Sequence, residues 1–376
     1  MKKVYTIILL SLLLLTGCGE KEVSSPVAQT KTLIPPAVTS IPLLEEDLYL
    51  PPEKSSDKKL VFRADVTQDD EITFLYQYQK GKKSEFELAA LQPDDTWKVS
   101  TPEWEQALLE KTTSPLSALE VYSDGSYLAM IQPEDDLPSF YYLTPDGNVT
   151  EWELPHGILE WTDKIHEMAN GILLTEKNQI VLTTYKTEID EQTGKPAEDM
   201  GPDMGHMIVY DPYTEKLISK RDYVGMAENI FIIGDHVFHS GDNEVQVYPL
   251  NGGGIQSVYT DKELQRVKNR KDIQQSLCTY AGGKYAYWYT HLGIYRLDVS
   301  LTDNAENPVE KIISPDYFPK TDKKYFGINT MICKEDGKTT TIYVRGVPYD
   351  LKTNDEEYFT VDASEQIFTR YVFQEP

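Results

Sequence analysis

From about residue 60 to the C-terminus, short runs of alternating or wholly apolar residues recur, each pair split by a tight-turn signal. Period-two alternation bounded by Gly, Asp, Asn and Pro predicts half-buried strands joined as hairpins. The clearest hairpin is 118–122, then Ser123-Asp124-Gly125, then 126–131. Its counterparts are 60–66 with 71–78, 171–175 with 179–185, 229–233 with 236–239, 277–281 with 284–290, and 329–333 with 339–345. Turns centred on Asp69, Asp124, Lys177, Gly234, Gly282 and Asp336 follow one another at 55, 53, 57, 48 and 54 residues. A nearly constant period is the mark of one repeated supersecondary unit.

Each hairpin is followed by a second, of which 140–143, Thr144-Pro145-Asp146-Gly147 and 148–154 is the type example. The others are 207–210 with 216–221, 245–248 with 255–259, 294–299 with 309–313, 358–362 with 366–373, and 86–91 with 96–100. Six units of four antiparallel strands predict an all-β fold, a six-bladed β-propeller over residues 53–376. A single two-sheet sandwich would be overfilled by that many strands. The arrangement resembles the broad class of extracytoplasmic bacterial propellers, without a Trp-Asp or kelch signature to name a subfamily. Helices are minor insertions: Pro102 opens a short helical pattern through Leu109, and Thr260 with Glu263 forms a capping box before 264–273. Closing such a ring requires its ends to meet, so 48–50 or 60–66 is expected beside the sheet containing 358–373.

The N-terminus has a different pattern. Lys2 and Lys3 precede an apolar run from Val4 to Leu15, and Leu15-Thr16-Gly17 leads into Cys18. This resembles the signal peptide and lipobox of bacterial lipoproteins. The resemblance implies cleavage of residues 1–17, a thioether-linked diacylglyceryl group on Cys18, and a chain tethered to the cell membrane on its extracytoplasmic face. A run of about a dozen apolar residues has signal-peptide proportions and is too short to span a bilayer, which takes about 20. Residues 18–52 are rich in Pro, Ser and Thr and read as a lipidated cysteine followed by a flexible tether, with 43–44 and 48–50 as the exceptions able to dock as a strand.

Charge narrows the partners. The chain carries 36 basic and 61 acidic residues; losing residues 1–17 removes two lysines and no acids, leaving a formal charge of −27. No basic stripe offsets it, which excludes nucleic acid as a partner. Cationic partners, divalent metal ions or neutral ligands remain, among them an envelope protein, a peptide or a glycan. Cys278 and Cys333, the two cysteines of the mature chain, are compatible with one disulfide or two buried thiols.

Candidate chemistry is sparse. His236 and His239 lie three apart on a strand and so point to opposite faces, which argues against a shared metal ion. His156, His166, His206 and His291 are scattered and read as hydrogen-bonded structural residues. The loop 186–205 crowds carboxylates without the spacing of a calcium loop and reads as a solvated insertion. No cofactor, metal site or catalytic residue is assigned. The expected function is a non-enzymatic, lipid-anchored propeller that binds a partner or ligand through the loops 100–116, 154–170, 186–205 and 260–276, with Trp104, Trp161 and Tyr213 as contacts. The alternative is an extracytoplasmic hydrolase or lyase acting on glycan or peptide at the channel mouth, which requires ionisable groups to converge there.

Overall fold

The computed structural model describes residues 36–43, 58–66, 71–81, 83–133, 136–189, 205–223, 230–240, 244–251, 256–260, 277–280, 285–290, 293–298, 310–323, 325–353, 359–363 and 366–374. The N-terminal segment with Cys18, the segments 190–204 and 261–276, His291 and the turns at Asp69 and Gly282 lie outside them.

After β1 (Ala37–Ile41), the strands fall into antiparallel sheets in chain order. The first sheet is β2 (Lys58–Asp65), β3 (Thr73–Lys80), β4 (Lys83–Leu91) and β5 (Trp97–Ser100). The short helix α1 (Glu105–Leu109) leads to the second: β6 (Ala118–Val121), β7 (Tyr127–Ile131), β8 (Ser139–Leu143) and β9 (Val149–Glu153). The third is β10 (Ile165–Leu174), β11 (Ile180–Glu188), β12 (Gly205–Asp211) and β13 (Lys216–Tyr223). The fourth is β14 (Ile230–Ile233), β15 (His236–Ser240), β16 (Glu244–Pro249) and β17 (Gln256–Thr260), and the fifth β18 (Leu277–Tyr280), β19 (Tyr285–Thr290), β20 (Gly293–Asp298) and β21 (Glu310–Ile313). Turn chemistry matches the pattern: Gly125 and Gly147 sit at φ +83° and +92°, where a side chain would be strained.

Five sheets are therefore the regular four-stranded units of a propeller, not six, and the remaining sheet differs. It has five strands: β22 (Tyr325–Glu335), β23 (Thr339–Thr353), β24 (Phe359–Ala363), β25 (Ile367–Gln374) and β1. The second hairpin expected from 358–373 does not form. β23 is 15 residues long, so its first half pairs β25 and its second half pairs β24. The outer place is taken by β1, aligned Ala37 to Val372 through Ile41 to Phe368. This corrects two expectations. The segment 18–52 is not tether throughout, and the closing strand comes from 37–41, while 60–66 supplies the first strand of the first sheet.

Side-chain packing joins the sheets in a closed circuit. Leu75, Phe86 and Trp104 meet Leu119, Ala129 and Leu143 between the first and second. Met130 and Phe140 meet Ile172 and Leu182 between second and third, and Val181 and Val209 meet Ile230 and Val237 between third and fourth. β14 and β15 lie against β18. Tyr287 and Ile294 pack on Ile328 and Ile342, and the last sheet meets the first where Ile41, Ile332 and Phe368 pack on Phe74 and Tyr76. The first strands of consecutive sheets adjoin, β6 with β10, β10 with β14, β14 with β18 and β18 with β22, so they surround the axis. Radial repetition of this kind leaves only short outer edge strands on each sheet.

Candidate functional site

Antiparallel order fixes which loops share a face. Connections from the second to the third strand of a sheet, and from its fourth strand to the next sheet, emerge at one end; the two hairpin turns emerge at the other. The 100–116 and 154–164 connections and the ends of β11 and β12 that flank 190–204 therefore lie on one face.

On that face, the third sheet carries a hydrogen-bonded charge cluster drawn from all four of its strands. Glu167 of β10 is fully buried. Its Oε1 accepts from Thr184 Oγ1 at 2.7 Å and lies 2.6 Å from His206 Nδ1. Its Oε2 accepts from Lys220 Nζ and from the Glu160 backbone N–H, both at 2.8 Å. Burial alone raises the Glu167 carboxyl, but these donors together outweigh it and hold the group below its usual range. With that carboxylate ionised, His206 carries its proton on Nδ1, and Nε2 faces Asp222 at 3.7 Å. Lys186 closes the cluster by donating to Glu160 at 2.7 Å, which holds its ammonium in the charged form. The strands meet closely enough here that a Cβ on Gly205 would fall 1.8 Å from the Thr184 carbonyl oxygen. His206 is thus hydrogen-bonded as expected, but as part of a constellation that sequence inspection missed. The only local signal was a His and an acid at matching ends of adjacent strands.

A second grouping lies at the axis. Asp65 ends β2, and Glu120 sits on β6, half-buried. Burial pushes the Glu120 carboxyl up to about 8, and the negative charge of Asp65 adds to the shift. Arg63 of β2 donates to Thr330 Oγ1 of β22 at 3.1 Å, and buried Arg345 donates to the same hydroxyl at 3.2 Å and stacks over Phe74.

The three aromatic contacts do not form one surface. Trp104 is 1% exposed and packs edge-on against Phe86 and Tyr127, pinning α1 to the first and second sheets; a side chain so covered is core. Trp161 stacks on His166 at 3.9 Å, on the face bearing the charge cluster. Tyr213, 73% exposed, lies in the turn between β12 and β13, at the opposite face. His166 Nδ1 is buried without a hydrogen-bond partner among the described residues, unlike the expectation for it. Cys333 is a buried free thiol. Among the described residues no group of His, Cys, Asp and Glu has the geometry of a metal site, and no helix is long and apolar enough to cross a membrane.

No protein-family model and no curated protein matches this chain. Solved structures similar in shape are distant. A protein of unknown function from Dyadobacter fermentans is 10% identical with a TM-score of 0.45, over 90% of this chain and 99% of that one. A gluconolactonase from Xanthomonas campestris is 10% identical with a TM-score of 0.41, over 93% and 98%. An acylaminoacyl peptidase from Pyrococcus horikoshii is 11% identical with a TM-score of 0.41 over 76% of this chain, which spans only 43% of that enzyme.

Proposed function

We propose that this chain is a lipid-anchored extracytoplasmic propeller protein, and that it binds a partner protein or ligand on the face bearing the Glu160–Lys186–Glu167–Lys220–His206 cluster. The observation that carries the reading is the internal commitment of that cluster. Glu167 accepts four hydrogen bonds, and Lys220 and Lys186 are each held by a carboxylate. Groups so engaged offer a rigid, patterned polar surface rather than a proton looking for a substrate. Glu160, Lys186 and Asp222 remain partly or well exposed beside it, with side-chain exposures of 37%, 27% and 81%. The lipobox at Cys18 supports the location, and the acidic charge supports a cationic or neutral partner.

The test is crosslinking and pull-down from the native membrane with the full-length protein and a Glu160→Lys, Asp222→Lys variant. A partner captured by the parent chain and lost from the variant supports the reading. Equal capture by both sinks the assignment of this face.

The hydrolase reading has one observation in its favour. A carboxyl that titrates near 8 stays protonated at neutral pH and is fit for a general acid, and Asp65 is a carboxylate whose charge acts on it. Hydrolysis of a glycan or peptide that is abolished by Glu120→Gln would replace the binding reading with this one.

A further inference from the structure

Between the first and second sheets a cleft of about 480 Å³ opens on the face opposite the charge cluster. Most of its lining, Val66, Glu71, Thr73, Ala90, Lys98 and Tyr127, comes from near the strand ends that meet the hairpin turns, with Leu88 and Ser100 further along β4 and β5. The volume falls within the range of small-molecule sites, about 300–1,000 Å³.

The composition of the wall is what makes it more than a gap. Val66, Leu88 and Ala90 supply an apolar surface continuous with the core between these two sheets, to which Val66 and Leu88 belong. Around it stand one cation, Lys98, one anion, Glu71, and the hydroxyls of Thr73, Ser100 and Tyr127. Tyr127 is positioned from behind, its ring edge-on to buried Trp104 at 6.1 Å. Burial raises its phenol, so at neutral pH it is an O–H donor. Lys98 and Glu71 are exposed, whereas in the third sheet Lys220 and Lys186 are consumed by carboxylates within the protein. A charged pair of opposite sign, hydroxyl donors and an apolar wall match a small molecule with the same features.

We infer that this cleft is a binding site for a zwitterionic amino acid or short peptide bearing an apolar side chain. Lys98 receives the carboxylate, Glu71 the ammonium group, Tyr127 and Ser100 hydrogen-bond the polar backbone, and the side chain lies on Leu88, Ala90 and Val66. The inference is independent of the opposite face: a partner bound there neither requires nor forbids it.

The experiment is isothermal titration of the mature chain with L-leucyl-L-leucine and with L-leucine, against N-acetyl-leucyl-leucine amide, which keeps the apolar groups and loses both charges. Saturable binding of either zwitterion is expected, with at least tenfold weaker binding of the blocked peptide. Binding by the dipeptide alone assigns the site to peptides; binding by leucine as well assigns it to amino acids. Lys98→Ala and Glu71→Gln should each weaken the zwitterion about tenfold. Because both residues are exposed, these changes should leave the thermal midpoint unmoved. No saturable binding up to 10 mM (an order-of-magnitude ceiling for a specific small-ligand site), equal affinity for the blocked peptide, or unchanged affinity in both variants would each overturn the inference.

Discussion

Arg370 of β25 donates two hydrogen bonds to Asp95 in the turn between β4 and β5, at 2.6 and 3.1 Å, joining residues 275 apart in sequence across the seam where the last sheet meets the first. The bidentate geometry is the strong form of a guanidinium–carboxylate contact. Asp95 sits at φ +64°, an uncommon conformation for a side-chain-bearing residue, and presents its carboxylate to the seam. Trp97 Nε1 donates to the Pro42 carbonyl oxygen at 2.7 Å nearby, so the first sheet holds both ends of the chain that complete its neighbour.

Arg370→Ala should lower stability by about 1–2 kcal/mol, discounted from a buried charge pair because both side chains are about a quarter exposed. In a chain of this size that corresponds to a thermal midpoint roughly 2–5 °C lower. A double-mutant cycle with Asp95→Ala isolates the pair. Strictly additive losses would mean that the contact contributes nothing.

Removing residues 36–43 should destabilise the fold, whereas removing 20–35 should not. The first deletion strips β1 from β25 and leaves an unpaired sheet edge; it also removes Ile41, 4% exposed in the seam core. Ile41→Ala alone should cost about 2–4 kcal/mol. Urea midpoints of the two deletions and the point variant decide the matter, and equal midpoints for both deletions would contradict β1 as the closing strand.

Acid should loosen the third sheet. Because the folded Glu167 carboxyl titrates below its unfolded range, its stabilisation is fully present above about pH 4.5 and is lost as pH falls through the folded value. Glu167→Gln should therefore weaken the protein at pH 7 by about 2–4 kcal/mol, since Lys220 and His206 lose an ionised partner, and by much less at pH 3. Urea unfolding at the two pH values tests this; a pH-independent difference would show that the carboxylate charge is irrelevant.

Glu120 has the opposite sign. With a folded value of about 8, above its unfolded one, the native state holds the proton more tightly and stability falls as pH rises between about 4.5 and 8. Glu120→Gln should raise the thermal midpoint by a few degrees at pH 8 and leave it unchanged at pH 4. Equal midpoints for parent and variant at pH 8 would refute the shift.

Cys18→Ala should release the protein from the membrane fraction, because the thiol is the proposed point of lipid attachment. Fractionation with mass measurement of the mature N-terminus reads this directly. An unchanged membrane share would dismiss lipid anchoring at Cys18.

What the sequence determined by itself was local. Alternation of apolar and polar residues and turns such as Asp146-Gly147 specify strands and hairpins, because strand facing and positive φ are properties of neighbouring residues. The period of those hairpins was enough to predict a propeller. Only the tertiary structure decided which strand closes the ring. The segment Ala37–Ile41 is short, lies among prolines and buries only Ile41; the free edge of β25 and the pocket for Ile41 recruit it. The same holds for the charge cluster, whose Glu167 and Lys220 are 53 residues apart and meet through sheet pairing. Trp104 reads from its loop position as a partner contact, and the rings of Phe86 and Tyr127 make it core. Long-range contacts of this kind depend on which sheet lies beside which, and local periodicity carries no record of that.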